Sequence, residues 1–140
     1  MQRLMILTSS LICLSLIPGC GTGPGSSQAG SQQAAQSHFD AEFQKWIAGQ
    51  ESEVTTMDSR IKSLQAPISY DIRSITSDEP DPLAFDRSSK LPENWREWPA
   101  YKFNVAIEWK SEAGTPLEKV TTYRLTWNSH EQKWYVAERF

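Results

Sequence analysis

The alternation of apolar and polar residues in the last third of this 140-residue chain constrains its fold more than any other feature. In YKFNVAIEWK, which starts at Tyr101, every second residue is apolar, and Ala106 alone interrupts the polar set. The same period of two returns over residues 121–127 and in the C-terminal stretch KWYVAERF. Because successive side chains of a strand point to opposite faces, these stretches are predicted to be half-buried strands.

Short turn-like sequences separate these strands. SEAGTPLE follows the first of the three and NSHEQ the second. One earlier strand is predicted after Pro67, where Ile68, Tyr70 and Ile72 alternate with polar residues. Strands joined by short turns pair antiparallel, so the sequence predicts a four-stranded antiparallel meander with one packed face.

A helix is predicted ahead of the sheet, from a capping residue at Ser37 to a stop at Gly49. Its apolar positions recur at helical spacing, at Phe39, Phe43, Trp46 and Ile47. A second, short helix is predicted over residues 51–65, and the alternative there is an irregular segment that enters the first strand. Helices ahead of such a sheet pack on its apolar face, which predicts an α+β fold with one or two N-terminal helices.

The N-terminus carries the one long apolar run of the chain, from Leu4 to Ile17, behind the single cation Arg3. A helix that spans a bilayer needs about 20 apolar residues, and this run is shorter and ends at Pro18-Gly19. A basic start, a short apolar stretch and a small residue before a break are the layout of a secretory signal peptide. Residues 1–19 are therefore predicted to be a signal peptide.

The residues around the break, Ile17-Pro18-Gly19-Cys20, resemble the bacterial lipobox. The resemblance implies cleavage before Cys20, a diacylglycerol on its thiol, and a fatty acid, expected to be palmitate, on its new amino terminus. The chain would then be a lipoprotein of the bacterial cell envelope, anchored to the cell membrane or outer membrane and facing away from the cytoplasm. The alternative is an ordinary signal peptide followed by an incidental cysteine.

Residues 21–37 contain no charged and no large side chain. Such a composition cannot bury enough apolar area to offset the entropy of ordering, so residues 20–37 are predicted to be the lipidated cysteine and a flexible tether. A flexible chain of this length spans about 20–25 Å. The single folded domain is accordingly expected over residues 38–140.

Composition excludes several classes of function. Cys13 and Cys20 are the only cysteines, so the domain has no disulfide, thiolate nucleophile or cysteine-based zinc site. The chain carries 14 Lys and Arg against 17 Asp and Glu, without a basic cluster, so we expect no nucleic acid partner. No phosphate-binding or nucleophile motif occurs, and we expect no cofactor.

Titratable residues give no catalytic pattern. His38 and His130 lack the spacing of metal ligands, and we expect both to be solvated, with no metal site. Asp71 next to Arg73 is interpreted as a solvated charge, and the alternative is a pocket acid. General acid–base catalysis needs a titratable pair in a shaped pocket, and the sequence names none, which favours a protein that is not an enzyme.

The longest segment without periodicity, residues 76–100, is too apolar for a disordered loop. Its large apolar residues are Leu83, Phe85, Leu91, Trp95 and Trp98. We favour the interpretation that this segment covers the open end of the sheet. The alternative is a stacking platform, formed by Trp95 and Trp98, for a glycan or a protein of the envelope.

The order of elements resembles the cystatin-like folds, in particular small lipoproteins with a nuclear transport factor 2-like domain. The residues that carry the resemblance are Trp46-Ile47-Ala48-Gly49 at the helix end and Trp134-Tyr135-Val136 in the last strand. It implies a cone of helix and curved sheet that can hold a small molecule, as in isomerases and dehydratases of that superfamily. Two functions follow: a non-catalytic binding or envelope-associated module, and alternatively an enzyme that uses such a pocket.

Overall fold

The computed structural model describes residues 28–56, 65–82, 90–111 and 113–139. These residues form one α-helix and four strands: α1 (Gln32–Ile47), β1 (Ser69–Ser77), β2 (Ala100–Lys110), β3 (Pro116–Asn128) and β4 (Lys133–Arg139). The strands build one antiparallel sheet in the order β1-β2-β3-β4. The α+β class and the four-stranded antiparallel meander are therefore confirmed, with one helix in the described residues.

Helix α1 begins earlier than the sequence predicted. Its N-cap is Ser31, whose Oγ accepts a hydrogen bond of 3.1 Å from the N–H of Ala34. The predicted cap at Ser37 is wrong, because Ser37 lies inside the helix. Residues 28–37, assigned to the tether, belong to the folded part, and Ala35 is fully buried. Alanine and glutamine have high helix propensity, so a segment rich in them can form a helix even where its composition is typical of a linker.

The helix ends where it was predicted to end. Gly49 has a φ of 71°, and its N–H donates to the carbonyl of Trp46 at 3.0 Å. The N–H of Gln50 donates to the carbonyl of Lys45 at 2.9 Å. These two bonds form a Schellman motif, which a left-handed glycine allows. Residues 51–56 and 65–68 are not helical, and the rest of the predicted second helix lies outside the described residues.

The core lies between α1 and one face of the sheet, called here the helix face. Phe39 packs against Phe103 and Tyr123, with ring centroids 5.0 and 5.3 Å apart. On β2, Phe103 and every second residue to Trp109 are buried on this face, as the alternation predicted. Burial of these side chains in one contiguous cluster is the main stabilisation of the fold.

Residues 52–56, which follow the helix, are fastened to it and to the sheet by polar contacts. The carboxylate of Glu42 accepts the N–H of Glu53 at 2.9 Å. The hydroxyl of Tyr123 donates to the carbonyl of Thr55 at 3.1 Å, and that of Thr56 donates to Glu138 at 3.0 Å. These bonds hold the segment over the helix face.

The opposite face of the sheet, called here the outer face, is partly covered by residues 78–82 and 90–99. Arg124 donates to Asp78 at 2.7 Å, and the N–H of Asp81 donates to the hydroxyl of Thr126 at 3.3 Å. Trp98 is only 5% exposed. Leu83 and Phe85 lie outside the described residues.

Candidate functional site

The turn between β3 and β4 forms one side of a candidate site. Asn128, the last residue of β3, is 2% exposed. Its side-chain oxygen accepts the N–H groups of His130 and Glu131, each at 2.9 Å. An asparagine that binds the backbone two and three residues ahead fixes a tight turn. The turn closes through Gln132, which takes a positive φ of 55°.

The segment that carries Trp98 forms the other side. A 3-10 turn, Trp95–Glu97, precedes Trp98, whose N–H donates to the carbonyl of Trp95 at 3.2 Å. The next residue, Pro99, accepts the N–H of Trp127 at 2.8 Å. This bond ties the segment to the end of β3 and places the Trp98 indole beside the Asn128 turn.

A pocket of about 260 Å³ lies between these two sides. Its lining combines apolar residues of the covering segment with polar residues of the turn: Lys90, Leu91, Pro92, Trp98, Asn128, His130 and Glu131. Small-molecule sites have this composition, an apolar wall with a few placed polar groups.

The amide nitrogen of Asn128 is the unusual group of the pocket. The oxygen of this side chain is occupied by two backbone N–H groups, which fixes the orientation of the amide. Its NH₂ carries two donors, and neither reaches an acceptor in the described part of the chain. In the described residues, the buried side-chain atoms without a hydrogen-bond partner are Trp109 Nε1 and Arg139 Nε. The Asn128 nitrogen is therefore open to the pocket, where it can donate to water or to an acceptor of a ligand.

Charges at the rim are of both signs. Lys90 and His130 are exposed, and so is Glu131, whose carboxylate accepts the hydroxyl of Tyr135. The hydroxyl holds this carboxylate beside the turn. The rim can therefore both donate and accept hydrogen bonds.

Trp95 does not share the pocket of Trp98. It lines a second pocket of about 290 Å³ with Glu79, Pro80 and Arg96. The Arg96 guanidinium carbon lies 4.7 Å from the centroid of the Trp95 ring, a cation–π contact. The two tryptophans predicted as a common surface thus contribute to separate pockets.

The other residues named from the sequence lie away from this pocket. His38 is half-buried against Trp134, with its Nε2 3.2 Å from Glu53. Asp71 is exposed and lies 3.8 Å from Arg73, which fits the solvated interpretation over a pocket acid. Cys20 lies outside the described residues.

Sequence reasoning missed Asn128, Lys90 and Glu131 and named His130 only as a turn residue. The available signal was the asparagine that opens the predicted turn NSHEQ, a residue type that often binds the backbone of its own turn. No sequence signal placed Lys90 next to that turn.

Across residues 28–56, 65–82, 90–111 and 113–139, no three His, Cys, Asp or Glu side chains are grouped to hold a metal ion. In the same residues, no helix has the length and apolar character needed to cross a bilayer. No protein-family model, curated protein or solved structure matches this chain. The resemblances to the lipobox and to the nuclear transport factor 2-like domains therefore stay predictions.

Proposed function

We propose that this protein is a lipid-anchored, extracytoplasmic component of the bacterial envelope whose domain is a non-catalytic binding module. The lipobox-like Ile17-Pro18-Gly19-Cys20 supports the anchor. Because the described fold begins at Gln28, only the seven residues 21–27, or eight Cα–Cα steps, separate it from Cys20. A link of that length reaches at most about 26–29 Å, so the domain would stay close to the membrane.

The observation that supports a binding module is the position of the unpaired Asn128 amide. It lies in a pocket on the outer side of the domain, beside Trp98. The space between helix and sheet, where the nuclear transport factor 2-like resemblance would place an enzyme pocket, is packed with rings. Phe43 stacks on Tyr70 there at 4.1 Å, and Phe39 stacks on Phe103 at 5.0 Å.

One buried carboxylate bears on the alternative function, an isomerase or dehydratase. Glu138 is a carboxylate on the helix face whose side chain is only 3% exposed. Its Oε1 accepts hydrogen bonds from Lys119, Thr121 and Thr56, at 3.0, 2.8 and 3.0 Å. A general base must be free to take a proton from its substrate, so a carboxylate with these donors is better suited to hold the fold.

Metabolic labelling with a palmitate analogue tests the proposed anchor. We expect the wild-type chain to be labelled and to sediment with membranes. Cys20→Ser should abolish the label and the sedimentation of the mature domain, since the thiol is the lipid acceptor. Cys13→Ser, which replaces the other cysteine, is the matched control and should keep both. An unlabelled wild type, or equal labelling of Cys20→Ser, would refute the anchor.

A further inference from the structure

We propose that the pocket between Trp98 and Asn128 binds an uncharged sugar ring. The inference rests on the proposed binding module and names the chemistry of its ligand. It starts from the Asn128 amide, whose oxygen is occupied by two backbone N–H groups and whose two N–H donors are open to the pocket. Any ligand that fills the pocket must present an acceptor oxygen to this amide.

The rim charges favour an uncharged ligand. Lys90 and Glu131 line the same pocket with opposite charges. Lys90 attracts an anion and Glu131 repels it, and the reverse holds for a cation, so the two rim charges together favour a ligand of neither sign. A hydroxyl group can accept from the Asn128 amide or from Lys90 and can also donate to Glu131. A ligand with several hydroxyl groups therefore satisfies every polar group of the rim at once.

The apolar wall and the volume narrow the ligand to a single ring. Leu91, Pro92 and Trp98 line one side, and they can pack against the C–H groups of a sugar. At about 260 Å³, the pocket lies just below the range of about 300–1,000 Å³ that is usual for drug-sized ligands. The pocket is thus suited to one ring of a glycan, with the rest of the glycan outside.

The test follows the side-chain amide signals of Asn128 by NMR, in the full ¹⁵N-labelled chain held in a zwitterionic detergent that contains no sugar. The signals are assigned as the pair that is absent in Asn128→Asp. The probes are glucose, galactose and N-acetylglucosamine, with acetate and tetramethylammonium as an anion and a cation. We expect at least one sugar to shift the Asn128 pair saturably at millimolar concentration, and the two ions to leave it unchanged.

Asn128→Asp is the informative variant because a carboxylate still accepts the N–H groups of His130 and Glu131 and preserves the turn. It removes only the two donors and adds one negative charge. Asn104→Asp adds the same charge at a half-buried site on β2, outside the pocket. We expect the Kd for the sugar, read from ligand-observed saturation transfer, to rise about tenfold in Asn128→Asp, because the ligand loses the amide donor, and to stay unchanged in Asn104→Asp.

The inference is overturned if no sugar shifts the Asn128 pair, if acetate or tetramethylammonium shifts it and no sugar does, or if both variants lose affinity equally. Anchoring is measured separately by the label on Cys20. Loss of sugar binding with an intact label would refute this inference and leave the anchor standing, whereas an unlabelled chain that binds sugar would refute the anchor alone.

Discussion

The hydroxyl of Tyr101 on β2 donates a hydrogen bond of 2.9 Å to the backbone carbonyl of Gly30. Gly30 has a φ of +79°, and a Cβ built on it would lie 3.0 Å from the Trp127 side chain and 3.1 Å from that of Pro99. The residues before the helix are therefore packed against the sheet. The folded part of the chain therefore includes Gly30, although the composition predicted a tether up to residue 37.

Gly30→Ala tests this packing. We expect a loss of about 2–4 kcal/mol in the free energy of unfolding, because the side chain adds a steric clash to an unfavourable φ. Gly114→Ala is the control: it has the same φ of +79° and nothing within 4 Å of its Cβ, so it should lose about 1 kcal/mol. Denaturant unfolding measures both. Equal losses would mean that residues 28–31 do not pack on the sheet.

The ion pair of Glu138 and Lys119 should contribute strongly to stability. Glu138→Gln removes the carboxylate that pairs with the Lys119 ammonium at 3.0 Å, and we expect a loss of about 3–5 kcal/mol. Glu118→Gln breaks an exposed contact with Arg73 at 3.5 Å and should cost below about 1 kcal/mol. Thermal melts of the two variants make the comparison. A Glu138→Gln variant as stable as Glu118→Gln would contradict the role of the buried pair.

Trp98 and Trp95 should differ in their contribution to the fold. Trp98→Ala removes a buried indole, and we expect it to cost about 3–5 kcal/mol. Trp95→Ala removes a half-buried ring and should cost below about 2 kcal/mol. Equilibrium unfolding in urea measures the losses. The cover interpretation fails if Trp98→Ala unfolds at the same urea concentration as the wild type.

The carboxylate of Glu42 should make stability fall in acid. Burial alone would raise its pKa, but the N–H of Glu53 and the ammonium of Lys45 together hold the pKa below its usual value of 4.5. When folding lowers the pKa of a carboxyl group, the charged group stabilises the protein at any pH above its pKa in the unfolded chain. This stabilisation is lost as the pH falls through its pKa in the folded protein.

Glu42→Gln should therefore be less stable than the wild type at neutral pH, and the difference should shrink between about pH 5 and about pH 2. Glu51→Gln, at an exposed position, should match the wild type at every pH. Melting temperatures over this pH range provide the readout. A Glu42→Gln deficit that is independent of pH would assign its effect to packing alone.

The strands could be predicted because one face of the sheet is buried, which requires apolar and polar residues to alternate along each strand. Phe103, Val105 and Ile107 follow the period of two and all lie in the core. The edge strand β1 departs from it: its register shifts between Ile72 and Ser74, so that Ile75 packs on the core three residues after Ile72. A bulge depends on pairing with β2 and leaves no signal in a single segment.

The start of the helix and the pocket depend on contacts that are distant in sequence. Ala35 is buried because the sheet lies over it, and nothing in a run of alanine and glutamine separates such a helix from a tether. The turn at Asn128 was predicted. That its amide lines a pocket could not be predicted, because the pocket also needs Trp98 and Leu91, which are distant in sequence. Sequence periodicity reports the face of an element and does not report which loop packs on it.

The mass of the mature N-terminal peptide shows whether a lipid on Cys20 holds the domain at a membrane. The protein is purified from membranes, digested, and the peptide that contains Gly21 is analysed by mass spectrometry. We expect a mature chain that begins at Cys20 and carries a diacylglycerol and an amide-linked fatty acid. A mature chain that begins at another residue, or an unmodified Cys20, would contradict it.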